Sequence, residues 1–204
     1  MRTDGAGGPP RGRLSTDVVT RAAADLADRS GPAAMTMAAV ARELGVRAPS
    51  LYAHVAGEQD LRERVALTAL AEIAEELGAA LAGRAGRDAV QALAETLRAY
   101  AIAHPGRYAA SRTRLDTRTA ADSAGPRQSD LLRAVLRGYD ITDPAEAVHA
   151  IRVMSGLVHG VVDLEAAGSF DHSDPPPEES WVRVVDTLDA ILRAWPPGST
   201  RPSG

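Results

Sequence analysis

Two groups of residues in this chain have side chains and spacing that could do chemistry. The first is Arg47, Ser50, Tyr52 and His54, four hydrogen-bonding side chains inside the stretch LGVRAPSLYAHVAGEQDL, residues 44–61. Arg and Ser can bond base edges or phosphates, and Tyr and His can do the same while packing on sugar. The second is His159 with Asp163, four residues apart and so on one helix face at metal-ligand spacing. The sequence places no third ligand beside them, and an i, i+4 His–Asp pair is commonly just a helix-surface interaction. Ser111, Ser123 and Ser155 lack a nucleophile-elbow context, and no GxxxxGK[ST] phosphate cradle occurs. The chain has no Cys, which excludes disulfides and thiolate metal sites. Neither catalysis nor a metal or other cofactor is expected.

The first group needs a scaffold that turns it outward. Thr36 is a good N-cap for a helix over 36–44 that buries Met37, Val40, Ala41 and Leu44. Ala41 is small enough for close helix crossing, and Gly45 can take φ > 0 at a tight turn. A short helix over about 48–55 follows, with Pro49 tolerated in its first turn. Val46 and Leu51 then pack inward, while Arg47, Pro49, Ser50, Tyr52, Ala53 and His54 are left for a major groove. The pattern is a helix-turn-helix, and it accounts for an exposed aromatic in a chain with only seven aromatic residues.

The rest of the chain is helical in the same way. Ser15 or Thr16 starts a first helix with Val18, Val19, Ala22, Ala23 and Leu26 on one face, ended by Ser30, Gly31 and Pro32. Gly57 opens a long helix burying Leu61, Val65, Leu70, Ile73, Leu77 and Leu81. Further helices are expected at 87–104, about 127–140, 143–167 and 178–195, with a short segment around Tyr108 and a mobile connection over 111–127. No strand and no internal repeat is predicted. The fold class is all-α, about nine helices: a disordered arm at 1–13, a helix-turn-helix domain at 14–57, a helical C-terminal domain at 58–196 and a tail at 197–204.

Composition agrees. Apolar residues make up 45% of the chain, dominated by Ala, Leu and Val, and every basic residue is Arg. The net charge of −4 divides unevenly: residues 1–56 hold seven Arg against five acids, and residues 57–204 hold 16 Arg against 22 acids. A basic head on an acidic body suits a small DNA-binding module. Arg2, Arg11 and Arg13 form an arm that could reach a minor groove or stay solvated. No apolar run approaches the roughly 18 residues that span a bilayer, and no signal-peptide core precedes the first helix. A cytoplasmic protein without a membrane partner is expected.

The residues MTMAAVARELGVRAPSLYAHVAGEQDL, 35–61, resemble the TetR family of bacterial transcriptional regulators. They carry that family's Thr at the start of helix two, Val-Ala within it, Leu-Gly-Val at the turn, and Leu-Tyr-x-His in helix three. The resemblance implies that Thr36, Tyr52 and His54 touch phosphates, while Arg47, Ala48, Ser50 and Ala53 lie nearest base edges. Two positions depart from the pattern. Glu58 stands where the family usually has a phosphate-contacting Lys, and Val55 where it usually has Phe. Glu58 weakens the expected grip, though the free N–H groups of its helix could still bind a phosphate. Farther on, HPGRYAA at 104–110 and VMSGLVHGVVDLEAAGSF at 153–170 resemble the WHG-type C-terminal domain of one TetR subgroup.

Physical pattern and resemblance then meet in the last two helices. Trp181, Val184, Val185, Leu188, Ile191, Leu192 and Trp195 form a stripe, and the helix over 143–167 is apolar on more than one face. Gly156 and Gly160, four apart, allow close helix approach. Leu157, Val161, Leu164, Trp181, Val184, Val185, Leu188, Ile191 and Leu192 are therefore expected in a homodimer interface, a four-helix bundle with a second copy; a monomer core is the alternative. The resemblance implies a pocket in the body, with Tyr100, His104, Tyr108, Arg112, His149, Met154 and His159 as candidate contacts; a mostly apolar pocket with a few polar groups would take an unknown small apolar or amphipathic effector. The expected function is a ligand-responsive homodimeric repressor on a palindromic double-stranded operator. An activator of the same fold, and a helical small-molecule-binding protein whose DNA head has weakened, are the alternatives.

Overall fold

Ser15 and Thr36 start the first two helices. In a computed structural model that describes residues 14–196, Ser15 Oγ accepts from the Val18 N–H at 3.3 Å and Thr36 Oγ1 from the Ala39 N–H at 3.2 Å. Each satisfies one of the amide donors that a helix N-terminus leaves unpaired. The described residues form nine α-helices, two 3-10 segments and no strand, as an all-α protein should. They are α1 Thr16–Ser30, α2 Met37–Glu43, α3 Glu58–Leu81, α4 Gly86–Ala103, α5 Pro105–Ser111, α6 Thr117–Asp122, α7 Gly125–Arg137, α8 Pro144–Ala166 and α9 Pro177–Arg193. The 3-10 segments are Pro32–Ala34 and Ala48–Ala53. The arm with Arg2, Arg11 and Arg13, and the tail at 197–204, lie outside the described residues.

Three expectations need correcting. The connection over 111–127 holds a helix of its own, α6. Asp116 caps it, accepting from the amides of Arg118 and Thr119 at 2.9 and 3.1 Å. The segment at 48–55 is 3-10 rather than α and ends at Ala53. The Ser50 N–H bonds the Arg47 carbonyl and the His54 N–H bonds that of Leu51, each at 2.9 Å and three residues back, the 3-10 geometry that serves short pieces. Finally, α8 is long and apolar enough to cross a bilayer by length and composition alone, with mean hydropathy 1.3 over 18 residues. In the fold it packs on α4, α7 and α9, and its apolarity is spread over two faces, one of which this chain does not cover.

The helices build two hydrophobic cores. Val19, Ala23, Val40, Leu51, Leu61 and Val65 lie in one; Ile73, Leu93, Leu97, Met154, Val158 and Leu188 lie in the other. Helix α3 belongs to both. Its first two turns bury Leu61 and Val65 in the head, and its later turns bury Ile73 and Leu77 in the body. Ala110 of α5 also joins the head core. The head's packing therefore extends past residue 57, where the sequence places its end.

Candidate nucleic-acid interface and ligand cavity

Gly45 sets the turn of the head. Its φ is 65°, in the left-handed region that favours Gly, as the sequence requires. The Val46 N–H bonds the Ala41 carbonyl at 2.9 Å and the Gly45 N–H bonds that of Arg42 at 3.2 Å, the paired bonds of a Schellman motif. The next segment is anchored by Leu51 and Val55, 0% and 3% exposed. Between these anchors Arg47, Pro49, Ser50, Tyr52 and Ala53 face outward, with Tyr52 60% exposed, while Ala48 and His54 are half-buried. Thr16 Oγ1 donates to the His54 carbonyl at 3.2 Å and ties the end of the segment to α1. Thr36 uses an oxygen lone pair as the α2 cap, which leaves its O–H for an outside acceptor.

Glu58 has a task in the fold. One carboxylate oxygen accepts from the Met37 N–H at 3.3 Å, and the other faces Arg62 at 3.5 Å. Asp60 accepts from the Ala56 N–H at 2.8 Å and pairs with Arg64 at 3.0 Å. Burial works against the Asp60 charge, but the Ala56 amide and Arg64 outweigh it and hold this carboxyl below its ordinary value. The first turn of α3 is thus acidic, and its carboxylates are bound to the head itself.

The head meets the body where α1 crosses α5. Gly106 makes the crossing possible, because a Cβ there would lie 2.1 Å from the Ala27 carbonyl carbon. Asp28 accepts from the Arg107 N–H at 2.8 Å and faces His104 Nδ1 at 3.2 Å. The Arg107 guanidinium, nearly buried, pairs with Asp25 and Asp28 and reaches toward Glu72 at 3.8 Å. Tyr100 donates to Glu72 at 2.6 Å; burial first, and that carboxylate second, push its phenol far above its ordinary value. Tyr100 and His104 therefore lie in the joint between head and body and not against the body's cavity.

That cavity, about 100 Å³, lies between α3, α4, α5, α7 and α8. Leu70, Ile73, Leu77, Leu93, Leu97 and Leu132 form its apolar walls. Ser111, Arg112, Gln128, Ser155 and His159 supply polar groups. Tyr108 stands behind them: its hydroxyl meets His159 Nδ1 at 2.5 Å, and the Arg112 guanidinium carbon lies 4.2 Å from the centre of its ring. Burial pushes the Tyr108 phenol up to about 12 and, together with Arg112, pushes the His159 imidazole below its ordinary value. Both groups are therefore uncharged near neutral pH, and their hydrogen bond occupies Nδ1 of the imidazole. Asp163 pairs with Arg112 at 2.6 Å, so His159 and Asp163 have different partners and form no metal pair.

Of the seven pocket candidates, the structure brings Arg112 and His159 to the cavity, with Tyr108 behind. Tyr100 and His104 belong to the joint, Met154 is locked in the body core, and His149 is exposed to solvent. Sequence reasoning missed Ser111, Gln128 and Ser155. Gln128 is held by its Nε2 donating to the Leu70 carbonyl at 2.7 Å, a contact 58 residues apart that leaves no local signature.

The apolar stripe of α9 divides as well. Trp181, Val185, Leu188 and Leu192 are buried in the core of their own chain, which takes these four off the free face. Leu157, Val161, Val184 and Ile191 are partly buried, and Leu164 is 48% exposed. Val153 and Val182, 42% and 53% exposed, extend this outer surface. A Cβ on Gly156 or Gly160 would meet nothing within 4 Å.

Comparison with known proteins agrees with this architecture. Residues 19–65 match the model of bacterial regulatory proteins of the tetR family, and residues 90–188 that of a tetracyclin repressor-like C-terminal domain. The chain is 35% identical over 187 residues to the uncharacterized HTH-type transcriptional regulator Rv0681 of Mycobacterium tuberculosis, covering 83% of each chain. It is 31% identical to the uncharacterized HTH-type transcriptional regulator YobS of Bacillus subtilis, covering 90% of this chain and 95% of that one. The fold is also similar to a TetR variant from Acinetobacter baumannii solved in complex with minocycline, with TM-score 0.64 and 23% identity over 87% of this chain and 96% of the other. The helix-turn-helix head, the helical body and these relatives together place the chain in the TetR family of DNA-binding transcriptional regulators.

Proposed function

We propose that this regulator is a homodimeric repressor that reads a palindromic operator and releases it when a small molecule enters the body. The observation that carries the reading is the second face of α8. Its first face packs in the core, while Val153 and Leu164 are close to half exposed and a Cβ on Gly156 or Gly160 would meet nothing within 4 Å. A glycine-notched apolar face of this kind suits close packing of an identical helix, and a two-fold pair of heads matches a palindrome. The intact anchors Leu51 and Val55 beneath an exposed Arg47, Ser50 and Tyr52 support a working reader rather than a weakened one. A route from cavity to head exists in α3 and in the α1–α5 joint. The related fold that holds minocycline supports a small-molecule effector. Release requires that the effector bind the two conformations with different affinity.

The test is selection of bound duplexes from a random DNA pool, with the mass of the protein measured by light scattering and Tyr52→Ala run in parallel. A recovered palindrome, a mass of twice the chain and no enrichment by Tyr52→Ala are expected. A well-folded monomer that enriches no sequence would end the reading.

A further inference from the structure

The cavity also limits what the effector can be. Resting on the reading of this cavity as the effector site, we infer that it takes a small apolar carboxylic acid, about one ring in size, with its carboxylate against Arg112 and His159. Three observations lead there. The apolar walls are aliphatic, five Leu and one Ile, and offer no partner to a polar tail. Charged or polar ligand groups must therefore gather where Ser111, Arg112, Gln128, Ser155 and His159 stand.

That end is rich in donors. His159 Nδ1 is taken by Tyr108, which leaves Nε2 to a ligand. The Arg112 guanidinium has five N–H groups and no acceptor. Ser155 adds a hydroxyl, and Gln128 has one amide hydrogen beyond the one given to Leu70. No carboxylate lines the cavity. A ligand ammonium would meet the Arg112 guanidinium with no carboxylate in the lining to balance it, whereas an acceptor with two lone-pair oxygens matches the fork of Arg112. Asp163 holds Arg112, and because its side chain is 50% exposed it can return to water when a ligand carboxylate takes its place.

Volume sets the size. Pockets for larger ligands run to roughly 300–1,000 Å³, and an apolar cavity of roughly 150 Å³ holds benzene. At about 100 Å³ this one admits a single small ring or a short branched chain with slight movement of its walls.

Calorimetry on the full chain without DNA, using benzoate, benzamide, toluene and benzylamine, tests the inference. Benzoate should bind at least about tenfold more tightly than benzamide or toluene, and benzylamine should not bind. Arg112→Ala should remove about tenfold or more of the benzoate affinity and leave toluene unchanged, with Ser155→Ala giving a smaller loss of the same sign. Equal binding of benzoate and toluene, preference for benzylamine, or no binding by any of the four would overturn it. The wild-type panel decides even if Arg112→Ala does not fold. Carboxylate binding without operator release would keep this inference and end the ligand-responsive reading; release by a non-acid would do the reverse.

Discussion

The backbone amide of Met37 donates to the carboxylate of Glu58 across the corner between α2 and α3, at 3.3 Å. This contact uses the acidic residue to satisfy the first amide of α2, at a position where a cation would instead face phosphate. Glu58→Lys should exchange one role for the other. Stability should fall by about 1 kcal/mol, as on losing a cap. The slope of log affinity against log salt should steepen by about 1, as one more phosphate is neutralised. Urea melts and a salt titration of operator binding measure the two separately, and an unchanged slope would show that position 58 does not approach the DNA.

Gly106→Ala should be severe. Its Cβ would fall 2.1 Å from the Ala27 carbonyl carbon and 2.5 Å from the Asp28 nitrogen, both backbone atoms that cannot swing aside. Helices α1 and α5 must part, at a cost of at least about 3 kcal/mol, beyond the usual range of single substitutions. Thermal denaturation with near-UV circular dichroism would register it. Gly156→Ala, with open space around the added carbon, serves as the mild control for backbone effects in the single chain.

Asp28→Asn tests the joint. The Arg107 amide can keep an acceptor, but the guanidinium and His104 lose a charge partner. Operator binding and effector binding, each measured alone, should stay within about threefold of wild type, while the coupling between them falls by about 1 kcal/mol. Operator affinity with and without saturating effector is the measurement, and full coupling in the variant would move the route elsewhere.

The hydrogen-bonded pair of buried Tyr108 and half-buried His159 should leave its mark on stability as pH changes. Burial, then Arg112, keep the folded His159 below its ordinary value of 6.5. As pH falls below that value, the unfolded chain takes up a proton that the folded chain refuses, so the folded state loses stability on acidification. The contribution is fully present above pH 6.5. His159→Asn should flatten the fall in urea midpoint between pH 7.5 and 5.5. At the alkaline end the sign reverses: the folded Tyr108 keeps its proton to about 12, the unfolded one loses it near 10, and stability falls as pH rises between them.

Val182→Asp and Leu164→Asp should dissociate the proposed dimer without unfolding the chain. Both side chains are about half exposed, so a single chain loses little when they become charged. In an interface each would bury a charge with no partner. A fall in mass by half at unchanged far-UV circular dichroism is expected; retention of the dimer would place the interface on another face.

What was readable in the sequence was local. Ser15 and Thr36 as caps, Gly45 as the turn and Leu51 as the anchor each depend on residues a few positions away. So does the break at His104-Pro105-Gly106, although the close approach of α1 that requires a glycine there lies 79 residues back. The stripe of α9 shows the limit of periodicity. It identified Trp181, Val185, Leu188 and Leu192 as apolar positions on one face but could not say whether that face meets this chain or another. The cavity was less legible still. Its polar residues come from three helices and a helix end, and two of the seven candidates, Tyr100 and His104, turn out to serve the joint.

One consequence of α3 being a single uninterrupted helix is mechanical advantage. Its 24 residues, with no proline among them, extend about 36 Å at the usual rise per residue. One end bears on the cavity through Leu70, Ile73 and Leu77, and the other carries Leu61 and Val65 into the head. Ile73 and Leu61 stand about 18 Å apart along the helix, so a tilt of about 5° about the cavity residues would carry the head residues about 1.5 Å, and in the proposed two-fold pair about 3 Å in total, against a half-site spacing of about 34 Å. In the proposed dimer a small displacement at the cavity therefore reaches both heads at once.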